Sequence, residues 1–279
     1  MSKVNDASDV ALSGLNHDRP KSNRLETHLP LIALTVVGVV AFFWPFFAKA
    51  SGTVNSAHSL DAPWIFIVLA PLLVALATSE VSSKRLDVKM LAVLAILAAT
   101  MAALRLPSPG VEGLEPMWFV LIIAARVFGG SFGFLLGTVG MATSALITGG
   151  IGPWLPFQMI AAGWVGLLTA TIPTRIIKPG SKLETLLLAF YGVLAALFYG
   201  AIMNLWFWPF AAGGTTSISY LQGASIATNL SHFAVFDLST SLTFDVPRAI
   251  LTCMLIIFAG PALMRVLRRV AAKGNISIR

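Results

Sequence analysis

A succession of long apolar runs constrains this sequence more than any other feature. A helix needs about 20 apolar residues to cross the hydrocarbon core of a bilayer, and only 11% of this chain is charged, against about 25% in soluble domains. The sequence therefore predicts an all-α integral membrane protein with about eight transmembrane helices. The shortest run, 117–128, is expected to tilt, to extend at its ends, or to form a hairpin with the next run around Gly129-Gly130. The candidate transmembrane runs are residues 29–48, 64–79, 88–104, 117–128, 131–149, 157–175, 185–209 and 247–268.

Basic residues indicate how these runs are oriented, because cytoplasmic loops carry the excess of lysine and arginine. Eight crossings put every basic cluster on one side, whereas seven would put the C-terminal cluster on the other. Both termini, including a basic tail at 269–279, are therefore predicted to be cytoplasmic, in a multi-pass protein of the bacterial plasma membrane. The clustered basic residues are Lys3, Arg19, Lys21, Arg24, Lys84, Arg85, Lys89, Arg126, Arg175, Lys178, Lys182, Arg265, Arg268, Arg269, Lys273 and Arg279. The alternate loops hold Lys49, Arg105, Asp61, Glu112, Glu115, Asp237 and Asp245.

The N-terminal part of the chain is predicted to be a polar, disordered cytoplasmic tail at 1–28 and two transmembrane helices within 29–79. The first run also resembles a signal peptide with a cleavage site at Ala48-Lys49-Ala50, but its length and Pro45 favour a retained span. The external stretch 210–246 is expected to contain an interfacial helix or a lid, since a plain loop of that length would be unusual.

The motifs that are absent exclude several kinds of chemistry. The chain contains no G-x-x-x-x-G-K-[ST], H-E-x-x-H or G-x-S-x-G motif, so no ATPase site and no catalytic residue is predicted, and the chain is not expected to be an enzyme. A single cysteine, Cys253, and scattered histidines give no metal-ligand pattern, and no cofactor is expected. The predicted span interiors lack Asp, Glu, Lys and His, which disfavours a carrier driven by protons or sodium. Arg126 lies near a predicted cytoplasmic end, where snorkelling to water would explain it.

A stripe of small residues follows one face of the third run. Ala95, Ala99 and Ala103 recur at four-residue spacing. Small residues at this spacing let two helices approach closely in lipid. The stripe is expected to bind a partner protein, to pack inside the chain, or to reflect no more than the alanine richness of this run.

Candidate binding groups lie at the predicted outer ends of the helices. Trp154 and Gln158 belong to the Gly- and Pro-rich loop 148–158, where the indole could bind a ligand or anchor the protein at the interface. Asn204 lies just inside the end of the seventh run, and its amide needs a partner on a neighbouring helix or on a ligand. Asp245 and Arg248, at i and i+3, are expected to pair across one turn or to cap the last helix.

Several of these segments, in this order, resemble the substrate-binding S component of energy-coupling factor (ECF) vitamin transporters. The resemblance covers residues 88–268. In the turn after the second core helix, Gly130 stands where the family pattern often has a proline. The segments that carry it are Ala102–Pro109, Arg126–Phe134, Thr148–Gln158 and Met203–Phe210.

The resemblance implies a six-helix core at 88–268 with a vitamin site that opens outward, and it makes 29–79 an addition to that core. It implies that Ala95, Ala99 and Ala103 contact a membrane T component, which two cytoplasmic ATPases drive. The cobalamin-associated branch is the most similar, and the alternative is a self-sufficient secondary carrier or a channel for a small organic solute. The residues expected to bind the vitamin are Trp154, Gln158, Asn204, Trp206, Trp208 and Arg248.

Overall fold

The computed structural model describes residues 24–47, 67–76, 78–79, 88–107, 113–173, 177–211 and 216–273. These residues form ten α-helices and no β-strand, which confirms the all-α class. The predicted tail 1–28 lies almost wholly outside the described residues. The helices are α1 (Arg24–Phe47), α2 (Ile67–Leu76), α3 (Val88–Arg105), α4 (Met117–Phe128), α5 (Gly130–Thr148), α6 (Leu155–Leu168), α7 (Lys182–Ala211), α8 (Ile226–Thr240), α9 (Leu242–Phe258) and α10 (Gly260–Lys273).

Helix length and apolarity support a membrane protein. Among the described residues, α3, α5 and α7 are each long and apolar enough to cross a bilayer alone. The pair α8 and α9 meets the same criterion together, with a bend of 65° between the two helices. The shorter apolar helices include α2, α4 and α6. Eight separate crossings therefore stay a prediction.

Helix α4 is short and is surrounded by protein. Ten of its twelve residues are buried, so its neighbours in the bundle shield it from lipid.

The next helix, α5, packs closely on α6 through glycines. A Cβ atom on Gly137 would lie 2.4 Å from the Ala162 carbonyl oxygen, and one on Gly166 would lie 2.2 Å from that of Gly133. Small residues at such crossings let the two backbones touch.

The last predicted run, 247–268, falls on two successive helices instead of one. Helix α9 begins earlier, at Leu242, and ends at Phe258, and a separate helix α10 follows. One face of α10 packs Met264 and Leu267 against the bundle, while Arg265 and Arg269 on the other face are exposed. This charged, amphipathic segment suits a membrane surface better than a membrane interior.

The stretch 210–246 contains helix α8, so the plain-loop reading of it is excluded. The hydroxyl of Ser225 caps this helix and accepts a hydrogen bond from the Thr228 amide at 3.1 Å.

Snorkelling of Arg126 is also wrong. The side chain is buried, and its Nε lies 2.8 Å from the Glu184 carboxylate. Arg126 also donates to the Ile172 carbonyl at 2.9 Å, and Arg268 on α10 donates to both oxygens of Glu184 at 2.7 and 2.9 Å. A buried charge needs such partners. These ion pairs hold α4, α7 and α10 together at the end of the bundle that the basic residues predict to be cytoplasmic.

Candidate ligand cavity

A cavity of about 540 Å³ lies at the opposite end of the bundle, where the last turns of α7 meet the junction of α8 and α9. Glu115, two residues before α4 begins, and Gln158 in the first turn of α6 complete its wall. This is the end that the charge distribution predicts to be outside. A volume of this size is typical of small-molecule sites. The lining residues are Glu115, Gln158, Tyr199, Gly200, Met203, Asn204, Phe207, Ala211, Phe236, Thr240, Ser241, Phe244, Asp245 and Arg248.

Arg248 is the central charge of the cavity wall. Its Nε donates to Glu115 at 2.8 Å, and another guanidinium nitrogen donates to Asp245 at 2.5 Å. The guanidinium carbon lies 5.1 Å from the centre of the Tyr199 ring, within cation–π range. Gly200 makes this arrangement possible, because a Cβ atom there would lie only 2.0 Å from the Asp245 carboxylate oxygens. The absence of a side chain on Gly200 therefore leaves room for the Asp245 carboxylate, which in turn holds Arg248 in place.

Glu115 joins this arginine to two further helices. The same carboxylate oxygen that faces Arg248 accepts a hydrogen bond from the Trp118 indole at 2.9 Å, and the other lies 3.7 Å from Arg105 on α3. Burial alone would raise the pKa of Glu115, but Arg248, Arg105 and Trp118 together hold it below its usual value. Glu115 is therefore held as a carboxylate at neutral pH.

Asn204 links α7 to α8 beside the cavity. Its amide nitrogen donates to Asp237 at 2.9 Å and to the Thr240 hydroxyl at 3.0 Å. Both donor hydrogens are thereby used, and the side-chain carbonyl of this lining residue remains as an acceptor. The two alternatives for this amide, a helix partner or a ligand, are therefore compatible.

Besides the Asn204 carbonyl, two polar groups of the wall have no hydrogen-bond partner within the described part of the chain. These are the hydroxyl of Tyr199 and the side-chain amide of Gln158. A hydroxyl and an amide can each donate and accept. The cavity therefore offers hydrogen bonds to a ligand besides its aromatic surface.

Residues 85–237 match the family described as the ECF-type riboflavin transporter, S component. This chain belongs to that family. The S component family supplies a component of a transporter rather than an enzyme, as the sequence predicted. The cobalamin-associated branch is not confirmed. No curated protein and no solved structure matches the chain.

Three of the six predicted binding residues of this S component line the cavity together: Gln158, Asn204 and Arg248. Arg248 and its partner Asp245 lie beyond the matched residues, although they complete the same wall. Their predicted i, i+3 pairing is present.

The three predicted tryptophans lie away from the cavity lining. Trp154 is 39% exposed, and its indole donates to the Gly150 carbonyl of its own loop. Trp206 instead packs against Phe157, with ring centroids 5.6 Å apart. Trp208 is fully buried, and its indole donates to the Ile218 carbonyl at 2.7 Å. Trp206 is two residues from Asn204 and therefore points to a different face of the helix. Trp208 is four residues from Asn204, on the same face, but its ring packs against Tyr220 and Phe233.

Sequence reasoning missed Glu115, Tyr199 and Gly200 as members of the site. Glu115 was used only to orient the chain, and Tyr199 resembled any aromatic residue in an apolar run. One signal was present for Gly200. It lies four residues before Asn204 and therefore on the same helix face.

The alanine stripe of the S component faces away from the bundle. Ala95, Ala99 and Ala103 are all exposed, whereas Leu94 and Ala98, each one position before a stripe residue, are buried. Packing of the stripe inside the chain therefore does not fit the described residues. The surface remains available to another protein or to lipid.

Proposed function

We propose that this S component binds a vitamin in the outer cavity and releases it inside the cell when coupled to a membrane T component and two cytoplasmic ATPases. The observation that carries the proposal is the polar cavity among the helices of a chain in this family. Both termini would lie in the cytoplasm of a bacterial cell, with eight crossings and the cavity open to the outside. The exposed stripe of Ala95, Ala99 and Ala103 would contact the T component.

Riboflavin, or a vitamin of similar size, is the proposed ligand. The family description names riboflavin, and a cavity of about 540 Å³ suits one drug-sized molecule. Cobalamin is several times heavier, and its corrin ring would need a much larger opening. The aromatic side chains of Phe207, Phe236 and Phe244 supply flat apolar surface for a ring system.

The polar contacts would come from four side chains of the wall. Tyr199 and Gln158 would bond the ligand through their unused groups, and Asn204 through its carbonyl. Arg248, fixed between Glu115 and Asp245, would supply a positioned cation against the aromatic wall.

Equilibrium binding to the purified, detergent-solubilised protein tests this function. Riboflavin, cobalamin and thiamine are each titrated, and riboflavin is expected to bind while the other two do not. Binding of cobalamin alone would restore the assignment made from the sequence, and binding of none of the three would remove the proposed function.

Two variants examine the site within the same experiment. Asn204→Leu is expected to weaken riboflavin binding about five- to a hundred-fold, because a lost buried hydrogen-bond partner costs about 1–3 kcal/mol. Trp154→Ala, at an exposed aromatic residue outside the lining, is the control and should leave the affinity unchanged. Thermal unfolding of both variants separates loss of the site from loss of the fold.

A further inference from the structure

The cavity has no spare positive charge. Arg248 is the one lysine or arginine among its described lining residues, and two of its nitrogens already donate to Glu115 and Asp245. The two carboxylates take two of the five N–H groups of this guanidinium and balance its positive charge.

The surroundings of the cavity are acidic. Among the described residues, the carboxylates of Glu115 and Asp245 lie in the wall with one guanidinium group, that of Arg248. Asp237 lies beside the wall, where it accepts a hydrogen bond from Asn204, and Arg105 lies 3.7 Å from Glu115. An anion that enters the cavity therefore meets a lining with a net negative charge.

The hydrogen-bonding groups of the wall also favour an uncharged ligand that donates hydrogen bonds. Asn204 has both amide hydrogens engaged and offers its carbonyl oxygen, and Asp245 adds carboxylate oxygens to the lining. These oxygens accept hydrogen bonds from a ligand that carries donors. A phosphate group has no donor to offer them and carries about −1.5 to −2 charge at neutral pH, which the carboxylates of the wall would repel.

We propose that the cavity selects uncharged ligands that carry hydroxyl or imide donors and rejects their phosphorylated forms. This inference rests on the proposed vitamin-binding function and adds a specificity to it. Asp245 is the specificity-determining residue, because it both occupies Arg248 and contributes negative charge at the wall.

The test compares riboflavin with riboflavin 5′-phosphate on the purified full chain at neutral pH, by direct titration and by competition. Like-charge contacts cost several kcal/mol. The phosphate ester is therefore expected to bind at least about a hundred-fold more weakly than riboflavin. Equal affinities would overturn the inference and leave the proposed function standing. If riboflavin itself does not bind, the proposed function and the inference fail together, and this outcome differs from the previous one.

Two matched variants identify the cause. Asp245→Asn removes one negative charge and weakens the charge-assisted contact with Arg248, and it is expected to narrow the affinity ratio of the two ligands at least about ten-fold. Asp237→Asn removes the same formal charge but leaves both partners of Arg248 in place, so a smaller narrowing is expected. If the ratio of the two affinities is unchanged in both variants, the acidic wall is not the cause of the selectivity. Should Asp245→Asn fail to fold, the wild-type comparison and Asp237→Asn still decide the question.

Discussion

Gly200 has no side chain, and the carboxylate of Asp245 fills the space beside it. Any Cβ at this position would lie 2.0 Å from both carboxylate oxygens, a distance that no relaxed contact allows. Asp245 in turn receives hydrogen bonds from Arg248 and from the Ser241 hydroxyl. Because Gly200 has no Cβ, the Asp245 carboxylate and its partner Arg248 can occupy these positions in the cavity wall.

Gly200→Ala is therefore expected to lower riboflavin affinity at least about ten-fold and to destabilise the protein by about 1–3 kcal/mol, because an overpacked site must shift. Gly192→Ala is the matched control on the same helix. Its Cβ would meet side-chain atoms of Ile256 and Thr252 at 2.9 Å, outside the cavity lining. The control should change the melting temperature and not the affinity. Equal affinities for Gly200→Ala and the wild type would contradict the role of Asp245.

Glu115 gives the fold a dependence on pH. Its folded-state pKa lies below its usual value, so its ion pairs stabilise the fold fully above the unfolded-state pKa, about 4.3. That contribution is lost as the pH falls through the folded-state pKa. The melting temperature should therefore hold near neutrality and decline below about pH 4.3, less steeply in Glu115→Gln than in the wild type. Parallel curves for the two proteins would show that another group dominates.

Helix α3 presents different faces to the bundle and to its surroundings. Leu94, Leu97 and Met101 are buried, while the alanines of the stripe are exposed. Exposed alanine gives little surface to lipid, but it allows a second helix to approach closely. The arrangement is therefore suited to a protein contact.

Replacing Ala95, Ala99 or Ala103 with leucine is expected to abolish vitamin uptake in cells that contain the T component and the ATPases. Binding to the purified variants should stay within about two-fold of the wild type, because the stripe lies outside the cavity lining. Ala70→Leu, at an exposed alanine on α2, is the control and should leave uptake intact. Variants that transport normally would exclude the stripe as the coupling surface.

Helices were easier to predict from the sequence than the contacts between them. The run 117–128 coincides with α4, because apolar residues end abruptly at Gly129. The boundary between α9 and α10 was missed, since the apolar run continues through Ala259. Glu115 and Arg248 are 133 positions apart, and no local pattern pairs them. The same limit applies to Arg126 and Glu184, which come together only in the folded bundle.

At the scale of the whole molecule, the two ends of the bundle differ in chemistry. One end has the ion pairs of Arg126, Glu184 and Arg268 and the exposed cations of α10. The other end has the acidic cavity around Arg248. Basic residues favour the cytoplasmic side, so this asymmetry predicts that the cavity opens outward.

Cysteine labelling in intact cells measures that orientation directly. Cys253 is first replaced by serine, and single cysteines are then introduced as Ser217→Cys near the cavity end and Ala272→Cys on α10, both at exposed positions. A membrane-impermeant maleimide should label the first in intact cells and the second only after permeabilisation, because an even number of crossings puts α10 in the cytoplasm. The reverse labelling pattern would show that the orientation is inverted and that the cavity faces the cytoplasm. Labelling of both in intact cells would put α10 on the cavity's side of the membrane and contradict the predicted number of crossings.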